Sequence, residues 1–183
     1  GTITAVSADG TMREIATIEG IVHGGEGGLL GLAVDEAHLF VYSTGQNGNR
    51  VQRFDITGEH GSLALANPMT IIDAIPSARN HNGGRIALGP DGYLYIATGD
   101  GSQTSASQDL ASLGGKILRV STDGAIPTDN PFAPSPVYSL GHRNVQGLGW
   151  AADGTMYASE FGQDTWDELN IITPGSNYGW PIV

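Results

Sequence analysis

Two residues nineteen positions apart carry the first chemical possibility in this sequence. His81 lies in the polar, glycine-rich run RNHNGGR, and Asp100 ends the stretch RIALGPDGYLYIATGD that continues it. An out-and-back hairpin returns its last residue beside its first. A histidine held in that way by a carboxylate is a general base with a fixed tautomer and raised basicity. On spacing alone, a loop histidine that caps backbone carbonyls fits as well. The second group is GHRNVQG, Gly141 to Gly147, in a chain with one lysine and seven arginines. Arg143 offers a rigid fork of donors and Asn144 an amide, both suited to a carboxylate or a developing oxyanion. An arginine that ties adjacent blades through their carbonyls uses the same residues.

Two further stretches bear on metals and ligands. Glu160, Asp164, Asp167, Glu168 and Asn170 place five oxygen-bearing side chains in eleven residues. That density suits calcium, which takes about six to eight oxygens, although the EF-hand spacing is absent and a solvated acidic loop has the same composition. The run GGEGGLLG, Gly24 to Gly31, fails the dinucleotide pattern because Leu30 stands where the third glycine belongs. Leu113 to Ile117, with Lys116, lacks the leading glycine and the Ser/Thr of a phosphate-binding loop. Glu26 sits on a flexible turn from which it can project into a pocket.

These residues need a frame, and the frame repeats. LAVDEAHLFVYSTG (Leu32 to Gly45), ALGPDGYLYIATGD (Ala87 to Asp100) and GWAADGTMYASEFG (Gly149 to Gly162) each read as a strand, an acidic turn and a second strand. Aligning Phe40, Tyr95 and Tyr157 gives spacings of 55 and 62 residues. Asp91-Gly92 and Asp153-Gly154 are tight-turn dipeptides between paired strands, and Asp9-Gly10 and Asp123-Gly124 mark further turns of that kind. The one helical expectation is a turn opening Ser107 to Val120, ended by Gly114-Gly115. The pattern predicts an all-β protein with a β-propeller architecture, a β-sandwich being the alternative. Roughly three blades fit in the chain, fewer than the about four to eight of a closed propeller. The expectation is a single domain over 1–183, a partial propeller with incomplete first and last blades, completed by more chain or by a second copy.

Composition excludes several partners. Eight cations against nineteen carboxylates give a formal net charge of -11, which repels phosphate backbones and anionic lipid. No run approaches the roughly 18 apolar residues of a membrane span. Gly1 opens no leader segment, so the expectation is that any export signal is already removed. The absence of cysteine excludes disulfides and thiolate chemistry.

In their order, GGEGGLLGLA, HNGGR, GPDGYLY, SLGGKILR, GHRNVQGL, SEFGQDTWDELN and NYGWP resemble the soluble pyrroloquinoline-quinone (PQQ)-dependent sugar dehydrogenases, the glucose/sorbosone and aldose dehydrogenase group. The resemblance implies a six-bladed propeller with PQQ and Ca2+ on one face, and oxidation of an aldose in a periplasmic or secreted setting. By resemblance His81 is the base that takes the proton of the anomeric hydroxyl, and Asp100 orients it. Arg143 polarises the quinone, with Asn144 and Gln146 beside the cofactor. The carbonyls of Gly162 and Gln163 hold the cofactor's calcium, and Glu168 with the Tyr178 carbonyl holds a second, structural one. Glu26 falls at a sugar-pocket position. The family's additional basic cofactor anchors lie beyond Val183. Neither the particular aldose nor the electron acceptor is specified by these motifs. A calcium-dependent propeller lactonase and a non-catalytic sugar- or protein-binding propeller piece are the competing readings.

Overall fold

The fold was analysed as a computed structural model, which describes residues 1–59 and 61–183. Thirteen strands among the described residues form four antiparallel sheets, met in chain order. The first sheet has β1 (Thr2–Val6) and β2 (Met12–Thr17). The second runs β3 (Leu29–Val34), β4 (His38–Gly45), β5 (Gly48–Thr57) and β6 (Ala64–Ile75). The third runs β7 (Ile86–Leu88), β8 (Leu94–Ala97), β9 (Lys116–Val120) and β10 (Val137–Leu140). The fourth has β11 (Val145–Trp150), β12 (Met156–Glu160) and β13 (Glu168–Ile172). Each sheet is a simple meander, every strand pairing with the next.

The inner edges adjoin. Strand β3 packs beside β7, and β7 beside β11, so the second, third and fourth sheets begin at a shared centre and work outward, while β2 of the first sheet packs against the outer strand β6. Thirteen strands among the described residues amount to roughly three blades and are spread over four sheets, of two, four, four and three strands. The repeats read from the sequence coincide with the first two strands of the second, third and fourth sheets. Phe40, Tyr95 and Tyr157 occupy the same register, opposite Ala33, Ala87 and Gly149.

One apolar core fills each gap between sheets. Ile3, Ile18, Leu39, Val41 and Phe54 join the first two sheets. Phe40, Tyr42, Val51 and Ile75 face Ile86, Leu94, Ile96, Leu118 and Val120 across the next gap. Tyr95, Ala97 and Ile117 meet Val145, Met156, Ala158 and Ile172 across the last. A middle sheet is therefore covered on both faces, and β8 and β9 are buried at every position. This is why LYIA and KILRV show no alternation of apolar and polar residues. Deleting a side chain such as Leu94 from such a core costs about 2–5 kcal/mol.

Alternation of strand direction fixes where the loops go. The acidic turns fall at one end of the sheets: Asp9-Gly10 between β1 and β2, Asp91-Gly92 between β7 and β8, Asp123-Gly124 between β9 and β10, and Asp153-Gly154 between β11 and β12. All four repeat one design, in which the glycine N–H returns to the residue three back and the aspartate accepts the N–H two residues on. Gly92, at φ +79°, shows why glycine ends them. The other end of the sheets receives the β2–β3, β6–β7 and β10–β11 connections and the β8–β9 and β12–β13 loops. These hold Glu26, His81, Arg143, Asp100 and Gly162.

The expected helical turn lies earlier than Ser107: a short 3-10 helix spans Thr104–Gln108, and β9 begins at Lys116. Left-handed Gly101 and Ser102 (φ +58° each) turn the chain sharply after Asp100, and the helical turn follows at once.

Candidate active site

His81 and Asp100 meet as the hairpin argument requires. Strands β7 and β8 pair Ile86 with Ile96, and their continuations run in step until the Gly101 N–H reaches the His81 carbonyl at 3.1 Å. Nδ1 of His81 lies 2.8 Å from Oδ1 of Asp100. A carboxylate only accepts, so Nδ1 carries a proton, and in the neutral imidazole Nε2 is then the nitrogen with the lone pair. Asp100 is fully buried, while His81 keeps a little exposure. The Asp100 carboxylate is well supplied: the Ser102 N–H donates to Oδ1 at 2.8 Å and the Trp180 indole N–H to Oδ2 at 2.9 Å. His81 itself is held at φ +60°, an uncommon backbone for a residue with a Cβ. Its N–H donates to Oε2 of Glu26 at 2.7 Å, which helps to fix that conformation. Close approach of the two loops requires Gly99, since a Cβ there would sit 1.9 Å from the His81 carbonyl oxygen.

The GHRN turn stands beside this dyad. The Asp100 N–H donates to the Arg143 carbonyl at 2.9 Å, so the arginine follows the aspartate directly in space. The turn is shaped from beneath by Glu160, which the sequence places among surface calcium oxygens and the structure buries at the end of β12. Its Oε1 accepts the backbone N–H of Arg143 and, at 3.1 Å, that of Asn144; its Oε2 lies 2.9 Å from Nδ1 of His142. His142 is fully buried, stacked on Tyr178, with Nε2 2.8 Å from the Ser139 hydroxyl. Sequence parity held a signal for this, because Met156, Ala158 and Glu160 all point inward from β12.

Arg143 extends from the turn with one guanidinium nitrogen 3.2 Å from the Phe161 carbonyl and its plane over the Trp180 ring at 5.4 Å. Its Nε is buried without a partner among the described residues. Asn144 is buried, its Oδ1 accepting from the Gly83 N–H at 3.0 Å and from Gln146 Nε2 at 2.9 Å. Two cavities share this end of the sheets and meet at Phe161. One of about 320 Å3 is lined by Glu26, Arg85 and Gln146 among others, the second, of about 350 Å3, by Arg143, Gly162, Gln163, Glu168, Tyr178 and Trp180. His81 lines neither and reaches the first through Glu26. Arg85, whose Nε donates to the Gln146 carbonyl at 3.0 Å, is a cation of the site that the sequence reading passed over.

The five acidic and amide side chains of the β12–β13 region do not converge. Asp167 accepts the Gly162 N–H at 3.2 Å, Glu168 accepts from Asn170 at 2.9 Å, and Glu160 is committed to the GHRN turn. Among the described residues no three His, Cys, Asp or Glu side chains group as a metal site. The expectation of a calcium beside the cofactor therefore rests on backbone oxygens. Among the described residues no hydrogen bond is made to the carbonyls of Gly162 or Gln163, which line the larger cavity with Glu168 and Tyr178. Lys116 is structural: fully buried, it gives its ammonium to the carbonyls of Ala106, Ser107 and Gly114.

The chain is similar to several known proteins. Quinoprotein glucose dehydrogenase B of Acinetobacter calcoaceticus is 30% identical over 213 residues, covering 95% of this chain and 44% of that protein. Aldose sugar dehydrogenase YliI of Escherichia coli is 41% identical over 114 residues, 58% of this chain and 30% of its own length. The PQQ-bound aldose sugar dehydrogenase of Streptomyces coelicolor superposes with a TM-score of 0.93 at 49% identity, over 100% of this chain and 57% of that one. The four sheets are blades of the same β-propeller. The chain spans about half the length of the relatives it matches. All of it, residues 1–183, matches the family model described as Glucose / Sorbosone dehydrogenase, and to that family the chain belongs.

Proposed function

We propose that the protein oxidises aldose sugars to lactones with PQQ as the hydride acceptor. The observation that carries this reading is the His81–Asp100 dyad set one hydrogen bond from the Arg143 backbone. The relatives named as quinoprotein and PQQ-bound dehydrogenases support it. The residues fit the cofactor: the buried, unpartnered Nε of Arg143 suits an acidic quinone, and the carbonyls of Gly162 and Gln163 suit a hard cation. When bound, PQQ with its Ca2+ supplies an electrophilic two-electron acceptor. Nε2 of His81 takes the proton of the anomeric hydroxyl while the hydrogen on that carbon leaves with its electron pair, which turns the hemiacetal into a lactone. Asp100 holds the imidazole in the required tautomer. Arg143 draws charge toward the acceptor's carbonyl, Asn144 and Gln146 contact the cofactor, and Glu26 aligns the sugar hydroxyls. Glu168 and the Tyr178 carbonyl hold a separate structural calcium. Residues 1–183 act as one domain. The setting is periplasmic or secreted, as the resemblance to the family implies.

The test is anaerobic: PQQ and calcium are added to the protein with an aldose, and the quinone spectrum is followed. Calcium-dependent reduction in the parent, lost in His81→Ala with quinone binding retained, is the expected result. Equal reduction rates in parent and variant would overturn the base assignment. Hydrolysis of a sugar lactone without any spectral change would favour a lactonase instead.

A further inference from the structure

Trp180 belongs to NYGWP, and nothing in the proposed mechanism assigns it a task. After β13 the chain doubles back across the blade boundary. The Tyr178 N–H donates to the Leu140 carbonyl at 2.9 Å, the Leu140 N–H to Ser176 at 3.1 Å, and the Trp180 N–H to Gly141 at 2.9 Å. Gln108, on the 3-10 helix, clamps the segment from the other side through the Trp180 carbonyl at 2.6 Å and a reciprocal amide pair with Asn177. This path brings Trp180 to Asp100, eighty residues away in sequence. Its indole nitrogen donates 2.9 Å to Oδ2, and its ring lies under the Arg143 guanidinium.

We infer that Trp180 is a positioning residue that locks the Asp100 carboxylate, and hence the His81 tautomer, and couples that dyad to Arg143. The inference rests on the proposed role of His81 as base. Oδ1 of Asp100 serves His81 and Ser102, whereas Trp180 is the donor found on Oδ2 among the described residues. A carboxylate held at one oxygen only is free to twist about its bond. Both of its oxygens can then compete for Nδ1, and the imidazole loses its single orientation. The aromatic face does a second job. A guanidinium within about 6 Å of an indole centroid is attracted by the ring quadrupole, which fixes the direction in which Arg143 points. One side chain thus sets the spacing between the proton acceptor and the cation that serves the hydride acceptor.

Two variants separate these effects. Trp180→Phe keeps a face under Arg143 and removes the donor; Trp180→Leu removes both. In Trp180→Phe, kcat should fall about ten- to a hundredfold with KM for the aldose unchanged, the range expected for one hydrogen bond to a charged group. In Trp180→Leu, PQQ affinity should fall as well. The deciding readout needs no turnover: ring-nitrogen NMR of His81 in the cofactor-free protein. A single Nδ1–H tautomer in the parent, giving way to a mixture in Trp180→Phe, supports the inference. An unchanged tautomer, or a kcat loss that matches only a loss of folded protein, overturns it. Should Trp180→Phe not fold, the parent indole proton decides: a downfield, slowly exchanging Nε1–H supports the lock, and a shift typical of exposed indole overturns it. If His81→Ala keeps full turnover, the base assignment falls, and the tautomer readout still decides the role of Trp180.

Discussion

At the scale of the residue, Arg143 shows how a side chain can matter to chemistry and little to folding. Its guanidinium makes a hydrogen bond to the Phe161 carbonyl and lies over the Trp180 ring, and among the described residues its Nε has no partner. The turn around it is instead held by backbone N–H groups on Glu160. Arg143→Ala should therefore leave the thermal midpoint nearly unchanged and reduce kcat by about 10²- to 10³-fold, the usual loss when a donor to developing charge is removed. Paired melting curves and anaerobic single-turnover traces check this. A drop in stability with unchanged turnover would make Arg143 a blade tie, the other use its sequence allowed.

At the scale of the element, the site depends on loops that are tied to one another. The β8–β9 connection is pinned by Lys116 through three carbonyls, and the Ser107 hydroxyl in the same connection donates to the His142 carbonyl at 2.6 Å. The GHRN turn is built around the buried pair of His142 and Glu160, at 2.9 Å. Removing one member of such a pair leaves the other buried without compensation, and here two backbone N–H groups also lose their acceptor. Glu160→Ala should cost about 3–5 kcal/mol in urea unfolding and weaken PQQ binding through the displaced Arg143. Unchanged stability would show that water replaces the carboxylate, and that the turn holds its shape by itself.

At the scale of the whole molecule, the two ends of the sheets differ in kind. One end gathers repeated aspartate turns; the other gathers the loops of the site. Asp9, Asp123 and Asp153 of these turns are exposed, and their carboxyls are held below the ordinary value of 3.8. Asp9 is lowered to about 2, first by the Ser7 hydroxyl and then by the Thr11 N–H. Asp123 is lowered chiefly by Ser121 and Asp153 by the Thr155 N–H. A carboxyl whose folded pKa lies below its unfolded one adds stability above the unfolded value, and loses it as pH falls through the folded one. Asp9→Asn should thus melt below the parent at neutral pH, with the gap closing between about pH 4 and pH 2. A gap that persists at pH 2 would show that the turn depends on shape and not on charge.

The sequence by itself determined the repeat, the acidic turns and the hairpin that joins His81 to Asp100, because each depends on chain-local quantities: strand parity, turn chemistry and the length of an out-and-back path. The family order of motifs was legible for the same reason, since every motif is a contiguous run. The five oxygen-bearing side chains of the β12–β13 region do not converge in the structure, because density along the chain says nothing of direction. Parity turns Glu160 inward, where two backbone N–H groups and His142 claim it. Trp180 and Arg85 gained their places only in the tertiary structure. Trp180 reaches Asp100 through a segment that crosses from the fourth sheet to the third, and Arg85 meets Gln146 where the two inner strands adjoin. Such contacts follow from how blades pack side by side, and no local spacing encodes them.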